Sequence, residues 1–187
     1  MMRNKSLLYS IILFTGISFV VPCYAEQETD DADIGGFIAG PKWKEEGVII
    51  PSFPSNDDLL KVEIDKADSP FNLYLDSKNL SVSSNDGVVR YTVVIASDSG
   101  ARNVLFEGMR CQTAEFRTYA YGTYDNKLVK ARTSEWQAIK NKTSMPHRFN
   151  FYQHYMCNEY QSSNAIDIIL RKVKYPEDFE ISGERDD

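Results

Sequence analysis

From Leu59 to Arg132 apolar and polar side chains alternate with a period near two, interrupted at short intervals by Asp, Asn, Ser and Gly. That rhythm predicts β-strands joined by tight turns. Leu60, Val62 and Ile64 share one side of a strand over Leu59 to Asp65, and Leu73 and Leu75 point inward from the next, Asn72 to Leu75. Asp86-Gly87 then separates Leu80-Ser81-Val82 from Val88 to Ala96. A DG pair between β-rich runs is a hairpin signal, because Gly accepts the positive φ of a tight turn. Within Val88 to Ala96, Val89, Tyr91, Val93 and Ile95 form one face and Val88, Arg90, Thr92 and Val94 the other. Both faces are apolar or long-stemmed, so this strand is expected at the centre of the sheet. Asp98-Ser99-Gly100 turns the chain into a strand over Asn103 to Cys111. A polar loop, Gln112 to Glu115, leads to Phe116 to Tyr124. Asp125-Asn126 turns it again into Lys127 to Arg132. Short connections in this order predict an antiparallel meander.

After Arg132 the period changes. Ser134-Glu135-Trp136-Gln137 has the form of a capping box and predicts a short helix to Lys140, with Trp136 and Ile139 inward. Pro146 suits the first turn of a second helix, along which Phe149, Tyr152 and Met156 recur at helical spacing. Ile166, Ile169, Leu170 and Val173 follow the i, i+3, i+4, i+7 template over Asn164 to Lys174. Ser163 or Asn164 can cap that helix and Pro176 stops it; its β-branched content leaves a final strand as the alternative. The fold class expected is α+β: an antiparallel β-meander packed by C-terminal helices.

The run DGVVRYTVVIASDSGARNVLFEGMRC, followed by YAYG, a Trp and Ile three apart, a second Cys and AIDIILR, resembles the cryptic neisserial protein family. That family comprises exported proteins, mostly of β-proteobacteria, and the resemblance runs from about Trp43 to Arg171. It brings no catalytic residues to transfer. The pattern from Cys111 to Arg117 is also similar to the surface-adhesin protein E group. That likeness implies an antiparallel sheet packed by a C-terminal helix and tied by a disulfide.

The start of the chain adds a location. Arg3 and Lys5 precede an apolar run from Leu7 to Val21, and Cys23-Tyr24-Ala25 places small residues where signal peptidase reads. Residues 1–25 are therefore expected to be a signal peptide, cut between Ala25 and Glu26; lipidation of Cys23 is the rival, weakened by Pro22 before it. The apolar run is short for a membrane span, so no transmembrane segment is expected after cleavage. A periplasmic protein results, or one associated with the outer membrane or secreted. Residues 26–40 read as a disordered acidic linker, 41–176 as one domain and 177–187 as a charged tail. Cleavage leaves two cysteines, Cys111 and Cys157, which an oxidising compartment is expected to join.

Charge excludes one class of partner. Removing Arg3 and Lys5 from 21 basic residues leaves 19 against 27 acidic ones, a net charge of −8. With no basic stripe to offset it, nucleic acid is a poor partner. His147, His154 and Cys157 lie close in sequence, but the ligand number is too low for a zinc site and Cys157 is committed to the disulfide, so no metal or cofactor is expected. Ser97-Asp98-Ser99-Gly100 lacks the leading Gly of a nucleophile elbow. The remaining candidate is a row on one strand face, Arg117, Tyr119 and Tyr121, with Arg90 and Arg110 on nearby strands. Exposed, such a face suits a protein, peptide or glycan partner; covered by a helix, it is core. The functional expectation is an exported, non-enzymatic binding module, with an enzyme of unrecognised type or a small-ligand binder as alternatives.

Overall fold

The computed structural model describes residues 42–64, 70–140 and 143–176. The expected leader, acidic linker and charged tail lie outside the described residues. Among these, eight strands form one sheet: β1 (Leu59–Val62), β2 (Asn72–Asp76), β3 (Ser81–Val82), β4 (Val88–Ala96), β5 (Arg102–Arg110), β6 (Glu115–Gly122), β7 (Leu128–Lys130) and β8 (Gln137–Ala138). Every pairing is antiparallel, in the order β1-β2-β4-β5-β6-β7. Strand β3 lies beside β4 as β2 does, and β8 adds to β6. The meander expected from the turn residues is thus present. Gly87 and Gly100 sit at its turns with φ of 69° and 88°, where an L side chain would be strained.

The central strands β4 and β5 are buried on both faces, as the apolar character of both sides of β4 requires. On one face Val89, Tyr91, Val93, Leu105 and Met109 meet Phe151, Tyr155, Met156, Ile169 and Val173 in the main core. These last come from α1 (Pro146–Asn150), the π-helical turn Phe151–Met156 that continues it, and α2 (Ile166–Lys174). The disulfide Cys111–Cys157, with Cα atoms 5.5 Å apart, ties the end of the π-helical turn to the end of β5. An α+β architecture with C-terminal helices and one disulfide is the result.

Three local expectations are corrected. The Ser134 box does not start a helix: its hydroxyl donates to the Thr118 carbonyl (2.7 Å) and accepts from Arg117 Nε (2.9 Å). Gln137 and Ala138 instead pair with Phe116 and Glu115, so tertiary partners outcompete the local cap. In the second helix the wider π turn brings Phe151, Tyr155 and Met156 fully inside, while Phe149 is only half-buried and Tyr152 packs at the core's edge. Over 166–174 the helical reading holds and the strand alternative fails, but Asn164 does not cap it. Its side-chain amide donates to the carbonyls of Tyr155 (2.8 Å) and Cys157 (3.1 Å).

The sheet's other face is covered by the chain's own extended segment, Trp43 to Phe53. Val48 and Ile50 pack on Phe106, Tyr119 and Ala120, whereas Ile49 between them is exposed. Phe53 reaches Gly122, where an added Cβ would fall 3.1 Å from its ring and 2.7 Å from Val104 Cβ. Pro51 and Pro54 suit this role, since they hold the backbone extended and need no ladder bond.

Candidate functional site

Four of the five residues of the expected Arg/Tyr face come together under this strap. Arg90 lies on β4 opposite Gly108, and Gly108 in turn faces Arg117 on β6. Arg110 ends β5. The fifth, Tyr121, is separated from the others by a bulge. Phe106 pairs with Ala120 and Glu107 with Thr118, so Tyr119 is an extra residue on β6 and strict alternation fails there. Tyr119 folds its ring over Gly108, where an added Cβ would lie 2.8 Å from the ring carbons, and Tyr121 falls opposite Leu105, half exposed.

The strap inserts one carboxylate into this group. Glu45 accepts hydrogen bonds from Arg117 Nη1, the Tyr119 hydroxyl (2.5 Å) and Trp136 Nε1 (3.2 Å), with Arg90 Nη2 3.8 Å away. Burial and the adjoining Glu45 charge both push the Tyr119 hydroxyl far above its ordinary pKa, so it remains a donor. Asp86 is the second anchor. It accepts from Arg90 Nη2 (2.5 Å) and from the backbone N–H of Glu46 (2.9 Å) and Val88 (3.0 Å), while its carbonyl accepts from Trp43 Nε1 (2.9 Å). Burial opposes its charge, yet these donors, Arg90 foremost, hold the carboxyl well below the usual range. Arg110 stacks 3.7 Å over the Trp43 ring and donates to Glu115 (2.8 Å), and Trp136 meets Trp43 edge-on at 5.8 Å. The arginines are therefore engaged internally. The expected face is covered neither by a helix nor by solvent, but by a segment of the same chain.

Beside the strap a cleft of about 580 Å³ remains open. Trp43 forms one wall, Ser83 to Gly87 a second and Tyr160 to Ser163 a third, with Arg110 to Gln112 between them. The second wall is the β3–β4 turn, and the other two are pinned to it. Trp43 bonds the Asp86 carbonyl, and Ser163 Oγ donates to the Gly87 carbonyl (2.7 Å). The third wall is further held by the disulfide and by Asn158, whose side-chain oxygen accepts from the N–H of Tyr160 and Ser162, each at 3.0 Å. Gln161 sits at its tip with φ 57°, a conformation non-glycine residues seldom adopt. Ser84, Gln112, Gln161 and Ser162 line the cleft, and their side chains make no hydrogen bond among the described residues.

A buried charge cluster on the helix-covered face escaped sequence reasoning altogether. Glu107 of β5 is fully buried. It accepts from Arg148 Nη2 (2.6 Å) and Nε (3.2 Å), Thr118 Oγ1 (2.8 Å) and the Tyr91 hydroxyl (3.2 Å), and His147 Nε2 lies 3.6 Å away. Burial opposes the charge, but His147 and Arg148 hold its pKa down at about 2. Arg148 also stacks 3.8 Å from the Phe116 ring centre. Its oxygens being enclosed and shared among donors, this glutamate serves as a fastening rather than a reactive base. The alternation of β5 places Glu107 beside Leu105 and Met109 on the core face, and that was the available signal. Among the described residues no three His, Cys, Asp or Glu side chains gather as a metal-ligand set, and no helix is long and apolar enough to cross a membrane.

The fold and its fastenings define a class: an antiparallel sheet closed on one face by disulfide-tied helices and on the other by its own N-terminal strap. The chain belongs to the CNP1-like family, whose model matches residues 38–174. That agrees with the resemblance carried by the DGVVRY and FEGMRC blocks, whereas the likeness to surface-adhesin protein E is not found. No curated protein and no solved structure matches the chain.

Proposed function

We propose that this is an exported, non-enzymatic binding module of the bacterial periplasm or cell surface, released by cleavage between Ala25 and Glu26, and that the cleft beside Trp43 is its ligand site. The observation that carries the reading is that two walls are tied to the third, the β3–β4 turn, through Trp43–Asp86 and Ser163–Gly87, while Cys111–Cys157 anchors the loop after the π-helical turn to the end of β5. A cleft held in one shape by polar and covalent ties binds with little ordering cost. The unpartnered amides and hydroxyls on those walls supply directional contacts. Export is supported by the charged and apolar start of the chain and by the disulfide, which persists in oxidising compartments.

The test is site-specific photo-crosslinking in the native bacterium with intact-mass analysis of the exported protein. A crosslinker at Tyr160 or Gln112 is expected to capture the ligand, and one at the fully exposed Tyr124, remote in the fold, is not. Equal capture at all three positions overturns the cleft. A mature chain beginning at a lipid-modified Cys23 overturns the soluble form.

A further inference from the structure

The chemistry of the cleft narrows its ligand. Every charge lining it is engaged within the protein. Arg110 is stacked on Trp43 and bonded to Glu115, and Asp86 is held by Arg90 and two backbone N–H groups. An ionic ligand therefore finds no free counter-charge. An apolar ligand would bury the amides of Gln112 and Gln161 without partners, which costs free energy for each. What remains is a neutral ligand with many hydroxyls and a flat apolar side. We propose, building on the reading of this cleft as the ligand site, that it takes a neutral oligosaccharide.

The walls match a sugar in two ways. Tyr160, 79% exposed, offers aromatic surface against which the C–H face of a pyranose lies flat, and Trp43, 39% exposed, adds the part of its indole that Arg110 does not cover. The amides of Gln112 and Gln161 and the hydroxyls of Ser84 and Ser162 each donate and accept, as sugar hydroxyls do. The Trp43 ring is already fixed by Arg110 and by its indole N–H bond to Asp86. The backbone that carries Tyr160 is fixed by Asn158. Binding therefore orders little backbone, and its cost falls on the exposed side chains of Tyr160, Gln112 and Gln161.

The experiment titrates the mature, disulfide-intact protein by calorimetry and by amide NMR. The probes are neutral trisaccharides of the gluco, galacto, manno and N-acetylhexosamine series, with trigalacturonate as the anionic control. At least one neutral series is expected to bind, shifting the amide signals of residues 83–87, 112 and 160–163, and trigalacturonate is expected not to. Tyr160→Ala and Gln112→Ala should each weaken binding about tenfold or more without lowering the melting temperature; Tyr124→Ala should leave it unchanged. Absence of binding across the neutral series overturns the inference, as does binding that both cleft variants retain. If the sugars fail while the Tyr160 crosslink still captures a ligand, the saccharide is wrong and the cleft stands. If both fail, the cleft reading falls with it.

Discussion

On the helix-covered face the glutamate belongs to the sheet and the arginine to the covering helix: Glu107 on β5, Arg148 on α1. On the strap-covered face the polarity is reversed, with Glu45 in the cover and Arg117 and Arg90 in the sheet. The surroundings differ more than the fastenings. Among the described residues, the core cluster between sheet and helices holds sixteen buried side chains, the two disulfide cysteines among them, while the cluster under the strap holds three. The helix cover is held by apolar burial with a buried ion pair inside it. The strap is held mainly by polar bonds, so of the two covers it is expected to open first on destabilisation.

The largest effect should come from breaking the ion pair at its helix end. Arg148→Met keeps the packing on Phe116 but leaves a fully buried carboxylate without its cation. A loss of about 3–5 kcal/mol is expected from urea unfolding. Adding Glu107→Gln to the same chain should restore much of it. A single-variant loss below about 1 kcal/mol would show that Glu107 is not the fastening described.

Next comes the covalent tie. Its 46-residue separation corresponds, on the chain-entropy model, to about 4 kcal/mol. Cys111→Ser with Cys157→Ser should loosen the helices and the 158–163 loop first, read as faster hydrogen exchange there than in β4 and β5. Uniform acceleration would remove the distinction between the cover and the sheet.

Acid titration comes next, and it acts on both faces, since the Asp86 carboxyl on the strap side is held low as well. Glu107 titrates at about 2 in the fold against an ordinary 4.5. Its lowered pKa contributes stability that is fully present above pH 4.5 and is lost as the pH falls towards 2, about 3 kcal/mol in all. Unfolding free energies measured across this window should fall steeply, and Glu107→Gln should remove its share of that limb while leaving the part owed to Asp86.

The smallest global effect, and the most local one, is expected at the strap. Glu45→Gln weakens charge-assisted bonds to Arg117 and Tyr119 and should cost about 1–2 kcal/mol. Exchange should rise sharply over 43–53 and stay unchanged over 151–173. Equal protection in both segments would make the strap as firmly held as the helices.

Much of the helix-covered half was legible in the sequence. Asp86-Gly87 and Asp98-Ser99-Gly100 announced the hairpins, the Ile166 to Val173 spacing announced α2, and Cys111 with Cys157 announced the bond. These signals are local, or depend on counting alone. The strap-covered half was not legible in the same way. Nothing within Trp43 to Phe53 marks it as a cover, because its partners stand some forty to ninety residues away in sequence, from Asp86 to Trp136. The row of Arg117, Tyr119 and Tyr121 was read by alternation, and one bulged residue moved Tyr121 to the other side. Ser134 illustrates the same limit, since its cap-like spacing yielded to Thr118 and Arg117.

The chain has two tryptophans, and both stand on the strap-covered side, Trp43 in the strap itself and Trp136 donating to Glu45. Intrinsic fluorescence of this protein is consequently a reporter of one face only. Lifting the strap parts the two indoles, withdraws Arg110 from Trp43 and moves both rings into water, so the emission should shift red while the far-ultraviolet dichroism of the sheet and helices stays native. An unfolding curve followed by tryptophan light will then run ahead of one followed by the backbone. The gap between the two midpoints measures how loosely the cover is held.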